Sequence, residues 1–341
     1  MTKQIVLIIC IFIFHASNAQ YRNLVLEGGG IRGAAYAGAM SVLEEKGILK
    51  NIEKVAGTSA GSVVGLMVSL GYTSKEIDSI LFHLKIEKFN DGHGGLLGKY
   101  RRLKRHYGIH KGKEFGKWIE HLIQTKTGNP AITFRQLDSL SKYNPSIKKL
   151  YCVGANLTRQ RTEIFSFETT PDILVKTAIR ISCSIPFYYE SILLDSTGKE
   201  MDKSMKTKNF QVYVDGGIVA NYPINIFDSC QNGINGLFCD PVIHNKETLG
   251  IKLERDEQIE SLSRSSEIPP IDIYNFNDYI RAFLNLCMET INRKPNLENE
   301  LGRTIYIGYG HISFKPRKMT DKEKKDLFEN GRLATLHFLS K

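Results

Sequence analysis

An α/β fold with a mainly parallel central sheet follows from three features of the 341-residue sequence. Strand-like and helix-like runs alternate from Asn23 onward, which calls for a parallel sheet with helices on its faces. The helical runs repeat apolar residues at i, i+3, i+4 and i+7. Glycines stand where the first two helices should stop.

The elements read in order as follows. "NLVLE" is a buried strand, and the next segment places Tyr36, Ala39, Met40 and Leu43 on one helical face, closed by Gly47. "NIEKVA" is a second strand. It leads through "GTSAG" into a helix that carries Val63, Leu66, Met67 and Leu70 on one face and ends at Gly71. "TSKE" (Thr73 to Glu76) is a capping box for a third helix with Ile77, Ile80, Leu81 and Leu84. Residues 86–112 have weak periodicity and many glycines, so they are expected to form a lid-like surface excursion. "KLYCVGANL", "TEIFSF" and "FQVYVDGG" are further strands. A capping box at Thr320 to Glu323 opens a final amphipathic helix holding Leu327, Leu333 and Leu336. Trp118, with Ile119, Leu122 and Ile123, reads as a helix packing face rather than a ligand wall.

The first residues are different in kind. Lys3 precedes the apolar run Ile5 to Phe14, and the small residues Ser17 and Ala19 precede Gln20. This is the layout of a secretory signal peptide over residues 1–19, and it is too short to cross a bilayer. An uncleaved anchor is the alternative reading. Residues 20–341 are then one exported domain, periplasmic or secreted, with no linker-like tract to divide it. Of six cysteines, Cys10 leaves with the signal. Cys152, Cys183, Cys230, Cys239 and Cys287 show no CxxC spacing, so free buried thiols are expected, with a Cys230–Cys239 bridge as the alternative. No metal or other cofactor is indicated, because the chain has neither H-E-x-x-H nor a cluster of carboxylate ligands. The net charge is +10, densest in "KYRRLKRHYGIHKGK", Lys99 to Lys113. Such a block is either a solvated loop or a contact for an anionic membrane surface, whereas nucleic acid fits poorly with export.

Two glycine-bearing junctions carry the chemistry. "GGGIRG" satisfies GxGxxG, which suits either a diphosphate cradle or an oxyanion hole. A dinucleotide site wants a carboxylate at the end of the second strand. Here that strand runs instead into Gly57, Thr58, Ser59, Ala60 and Gly61, a GxSxG turn. A serine at a strand-to-helix turn flanked by small residues projects its hydroxyl above the sheet, at the positive end of a helix. The neighbouring loop of Gly28, Gly29, Gly30, Ile31, Arg32 and Gly33 can turn backbone amides toward it, as an oxyanion hole requires. Ser59 is thus the candidate nucleophile. None of the histidines stands in a recognisable catalytic context; His244 and His311 are possible partners without local support. Asp215, in "VYVDGGIVANYP" before Gly216 and Gly217, lies at a strand end and is either a turn residue or a site carboxylate.

With "GGGIRG", "GTSAG" and "DGG" in that order, the sequence resembles the patatin-like phospholipase family. "ITFRQL", "AIRISCSIPFYY" and "ANYPI" add to the likeness, which spans roughly Asn23 to Leu339 and weakens at 86–108 and 240–300. The resemblance implies a three-layer α/β/α sandwich and a Ser-Asp dyad with no histidine. It makes Ser59 the nucleophile, Asp215 the general base and the Gly28–Gly30 loop the oxyanion hole. Arg32 occupies the family's basic position and either binds a phosphate or fixes the loop. Pro186, Phe187, Tyr188 and Tyr189 are either core or an acyl-chain wall. The expected function is a serine acyl hydrolase acting on lipid or phospholipid esters in lipid catabolism. A catalytically silent lipid-binding protein on the same scaffold and a nucleotide-dependent oxidoreductase are the alternatives.

Overall fold

The computed structural model describes residues 21–201, 209–230, 235–238, 243–261, 270–275, 300–313 and 316–341, with isolated positions at 279, 282 and 286. The expected signal segment, Cys239 and Cys287 lie outside the described residues.

In chain order, β1 (Asn23–Leu26) leads through a 3-10 turn (Gly30–Ala35) to α1 (Tyr36–Glu45), and β2 (Lys54–Thr58) leads to α2 (Ala60–Ser69) and α3 (Ser74–His83). Then come α4 (Gly95–His106), β3 (Gly108–His110), α5 (Lys113–Thr127), α6 (Phe134–Tyr143), β4 (Lys149–Asn156), β5 (Arg161–Phe165) and α7 (Val175–Ser182). The rest is β6 (Phe187–Tyr189), β7 (Ile192–Leu194), β8 (Gln211–Asp215), α8 (Gly217–Ala220), β9 (Thr248–Glu254), α9 (Asp256–Ser261), β10 (Thr304–Gly308) and α10 (Asp321–Leu339).

Eight strands form the main sheet in the order β10-β9-β1-β2-β4-β8-β7, with β5 also paired to β4. The five strands from β10 to β4 are parallel, as the alternation of strands and helices requires. The pairings of β4 with β5, β4 with β8 and β7 with β8 are antiparallel. Alternate side chains of each strand divide between two cores. Leu24, Leu26, Val55, Leu150 and Cys152 join the large one with the main helices. Val25, Ala56, Tyr151 and Val153 join a smaller one under Ala220, Tyr222, Ile224 and Ile226. The α/β/α sandwich is therefore observed, with unequal outer layers among the described residues.

The expected capping boxes at Thr73–Glu76 and Thr320–Glu323 are both formed, and a third, Thr133–Gln136, starts α6 inside "ITFRQL". Residues 86–112 are more regular than expected. They hold a 3-10 turn at Ile86–Phe89, helix α4, and strand β3, which pairs with β6 in a separate two-stranded sheet. In α4 only Arg102 is buried, so the helix has no apolar stripe to announce it. In α10, Leu327 is buried but Leu333 is exposed; the inward face is Leu327, Gly331 and Thr335. Gly331 packs where an added Cβ would meet the Ala35 carbonyl at 2.0 Å, a close approach that hydropathy does not register. Cys152 and Cys183 are free and buried as expected. Cys230 is disulfide-bonded, against the expectation of a free thiol, because sequence spacing does not report the approach of two Cβ atoms.

Candidate active site

The chain must turn from β2 into α2 with almost no room. A Cβ on Gly57 would lie 2.4 Å from the Gly61 carbonyl carbon, and one on Gly61 would lie 2.3 Å from the Leu26 oxygen. At the apex Ser59 adopts φ 50°, ψ −123°, a region that costs a side-chain-bearing residue about 1–3 kcal/mol. Packing on every side holds it there. The Thr58 hydroxyl donates to the Ala220 carbonyl at 2.8 Å, and the Ser59 amide donates to the Ser182 hydroxyl at 3.0 Å. Ala60 is small for a reason, since a Cβ on the facing Gly33 would lie 3.0 Å from its own.

Asp215 reaches Ser59 through strand register. Thr58 pairs with Val153, and the next residue of β4, Gly154, pairs with Asp215. Because β4 runs past the end of β2, the antiparallel β8 brings its last residue level with position 59. The end of α7 and the loop after it fasten both residues, for the Asp215 amide donates to the Ser184 carbonyl at 2.9 Å while Ser182 takes the Ser59 amide. The Asp215 side chain accepts from the Gly217 amide at 2.8 Å. Asp215 is 5% exposed and Ser59 is 9% exposed. Burial pushes the Asp215 carboxyl up to about 7, against the lowering effect of the Gly217 amide and the nearby Ser59 side chain. Among the described residues no histidine hydrogen-bonds either side chain. His244 lies against Asp228 at 3.0 Å, beside the buried Arg303–Asp228 pair.

The glycine loop is pinned from both sides. The Gly28 amide donates to the Asn221 carbonyl at 3.0 Å, and the Asn221 side chain donates back to the Gly28 carbonyl at 3.0 Å. The Arg32 amide donates to the Gly29 carbonyl at 3.2 Å and starts the 3-10 turn that includes Gly33. The Arg32 side chain donates to the Ile312 carbonyl at 2.7 Å and stacks 3.5 Å over the Tyr309 ring, so it fastens the loop to the segment after β10. Gly28 and Arg32 thus have their amides committed. Those of Gly29, Gly30 and Ile31 make no hydrogen bond among the described residues.

Gly30, Ile31, Gly33, Ser59 and Ala60 are among the residues that line a cavity of about 110 Å³. Its remaining wall is apolar, including Leu81, Leu84, Phe89, Phe115, Trp118, Ile185 and Tyr189. Trp118 packs against the core, as its helical spacing predicts, and also lines this cavity; Ile119, Leu122 and Ile123 are core. Of the run Pro186 to Tyr189, Tyr189 lines the cavity, Phe187 is exposed, and the Tyr188 hydroxyl donates to Asn90. Sequence reasoning missed Ser182, Ser184 and Asn221, whose roles depend on contacts distant in the chain. The "ANYPI" and "SCSIP" stretches were visible, but nothing in them told which atom would hold which.

A family profile for patatin-like phospholipases matches residues 24–228. The chain belongs to this family. YqhO of Bacillus subtilis is 32% identical over 324 residues, 94% of this chain and 98% of that one. A protein described as a probable lipid hydrolase from Invertebrate iridescent virus 6 is 27% identical over 68% of this chain and 72% of its own. The solved structure of VipD from Legionella pneumophila shares the fold with a TM-score of 0.58 at 18% identity, over 94% of this chain and 67% of VipD. Membership in the patatin-like family supports lipid-ester hydrolysis as the class of activity.

Proposed function

We propose that the protein hydrolyses fatty-acyl esters of lipids through a Ser59–Asp215 dyad. The observation that carries this reading is the buried Asp215 carboxyl, raised to about 7 by burial and acted on by the Ser59 side chain, which itself lines an apolar cavity. A carboxylate at its ordinary value near 4 is a poor base for an alcohol. Raised to about 7, it is matched to proton transfer near neutral pH while still ionised for much of the time. The Ser59 oxygen attacks the acyl carbonyl as Asp215 accepts its proton. The amides of Gly29, Gly30 and Ile31 receive the oxyanion. Collapse expels the alcohol, which takes the proton from Asp215, and a water activated by Asp215 then releases the fatty acid. The acyl chain occupies the cavity along Phe115, Trp118 and Tyr189.

Access to a lipid surface is part of the proposal. Helix α4 exposes Leu96 (86%) and Leu97 (78%) beside Lys99, Arg101, Lys104 and Arg105, a composition suited to peripheral contact with an anionic membrane. Among the described residues no helix is long and apolar enough to cross a membrane. Export is proposed from the amino-terminal sequence alone.

The test uses a fluorophosphonate probe and a fatty-acyl nitrophenyl ester with purified protein, beside Ser59→Ala and Asp215→Asn. Wild type is labelled and turns over, while both variants lose about 10³-fold or more in turnover with folding intact by circular dichroism. Undiminished labelling of Ser59→Ala overturns the nucleophile, and full turnover by Asp215→Asn overturns the base.

A further inference from the structure

A second cavity, about 470 Å³ and separate from the one at Ser59, lies between the start of α5, the inner side of α7 and strand β7. Arg180 lines it while being 8% exposed. One of its nitrogens, Nη2, donates to the Lys111 carbonyl at 3.1 Å. The other, Nη1, is buried with no hydrogen-bond partner among the described residues. An arginine does not shed its proton, so a buried guanidinium N–H without an acceptor is costly unless a ligand supplies one. The backbone makes space at this point. Gly112 has φ +66°, and a Cβ there would lie 2.6 Å from both Nη1 and Nη2.

The charge around Arg180 fits an anion. Lys111 and Lys113 line the same cavity and make no ion pair among the described residues, whereas Lys176 is paired with Glu120 and Lys117 with Glu114. Glu120, Glu190 and Glu200 also line the cavity; Glu120 is paired with Lys176 and Glu200 acts on Arg180 through space, so recognition rests on Arg180 together with Lys111 and Lys113. The amides at the start of α5 are already taken by the Asp91 carboxylate, at 2.5 Å from Gly112 and 2.7 Å from Lys113, so the ligand is bound by side chains and not by the helix end.

We infer that this cavity is a binding site for a phosphate monoester, either free in solution or borne on a lipid headgroup. A planar guanidinium with a spare edge and two lysines suits a dianionic phosphate better than a single carboxylate. The site is distinct from the acyl cavity yet joined to it. The Arg180 guanidinium lies 5.7 Å from the Phe115 ring and 5.8 Å from the Tyr189 ring, both of which line the cavity at Ser59. Two residues further along the same helix, Ser182 holds the Ser59 amide. Phosphate at Arg180 therefore braces the wall behind the acyl chain and the helix that positions the serine.

The test is a thermal-unfolding titration of the full chain in the Ser59→Ala background, so that it is independent of any hydrolysis. The probes are inorganic phosphate and glycerol 3-phosphate, each against sodium chloride of equal ionic strength. In parallel, vesicles of phosphatidylcholine with and without phosphatidic acid are sedimented with the protein. At tenfold excess over Kd the soluble probes should raise Tm by about 2 °C or more. Arg180→Gln should abolish the shift. Lys111→Gln with Lys113→Gln, which leaves Arg180 in place, should at least halve it. A soluble shift assigns free phosphate. No soluble shift with phosphatidic-acid binding that drops in the lysine variant assigns a lipid headgroup. The proposal is overturned by no response in either arm, or by responses that the lysine variant leaves unchanged.

Discussion

Asp215 shows how burying one carboxyl works against stability. Its carboxyl is pushed up to about 7 in the folded protein, whereas in the unfolded chain it ionises near 4. Between those two values the folded state holds the proton more tightly, so this residue lowers stability as pH rises from about 4 to about 7 and has a constant cost above that. The sign makes a test. Asp215→Asn should be more stable than wild type at pH 8, by an amount on the order of a few kcal/mol, and the advantage should shrink to nothing near pH 4. Urea denaturation at both pH values measures it, and a destabilised variant at pH 8 contradicts the burial argument. If Asp215 is the base as proposed, ester turnover should climb with pH through an inflection near 7, since only the ionised carboxylate can take the Ser59 proton.

Among elements, the pair α1 and α10 illustrates a contact that depends on glycine. A Cβ on Gly38 would lie 1.8 Å from the Phe328 carbonyl oxygen, and one on Gly331 would lie 2.0 Å from the Ala35 oxygen. The two helices therefore meet backbone to backbone, each glycine admitting the other helix. Because α1 begins where the glycine loop ends, this packing also sets the position of Gly30 and Ile31 relative to Ser59. Gly38→Ala forces the helices apart and should cost about 1–3 kcal/mol, read as a lower urea midpoint. Gly302→Ala is the control, since its Cβ would meet open space and its midpoint should change little. Equal midpoints for the two variants would contradict the close crossing. The end of α7, with the loop after it, is a second such device. Ser182 and Ser184 hold the amides of Ser59 and Asp215, two residues far from each other in the chain, so the proposed dyad is positioned by an element that belongs to neither motif.

At the scale of the molecule, sheet and surface have separate tasks. The sheet brings the ends of β1, β2 and β8 together, and the buried Arg303–Asp228 pair, with bonds of 2.6 and 2.7 Å, ties the segment after Gly217 to the start of β10. Away from this frame, α4 presents exposed leucines and a row of cations. If it touches anionic lipid as proposed, vesicle binding should weaken as salt rises from about 0.1 to about 1 M, where the screening length falls from about 10 to about 3 Å. Leu96→Ser with Leu97→Ser should weaken what remains at high salt. Sedimentation with phosphatidylserine vesicles reads both effects, and binding indifferent to salt and to the leucine changes would leave α4 without that role.

Much of this was legible in the amino-acid order because it is local. Helical faces such as Tyr36, Ala39, Met40 and Leu43 follow from periodicity, capping boxes from four adjacent residues, and the Ser59 turn from small neighbours on both sides. The resemblance to the patatin-like family, which the family match bears out, also rested on short motifs in order. What lay beyond it depends on partners far apart in the chain. The direction of β8, the commitment of the Gly28 amide to Asn221, Trp118 as cavity wall, and α4 with its single buried residue were decided by tertiary packing. The order of residues sets what each segment prefers by itself, while register and burial, and with them the proton affinity of Asp215, exist only once the sheet has closed.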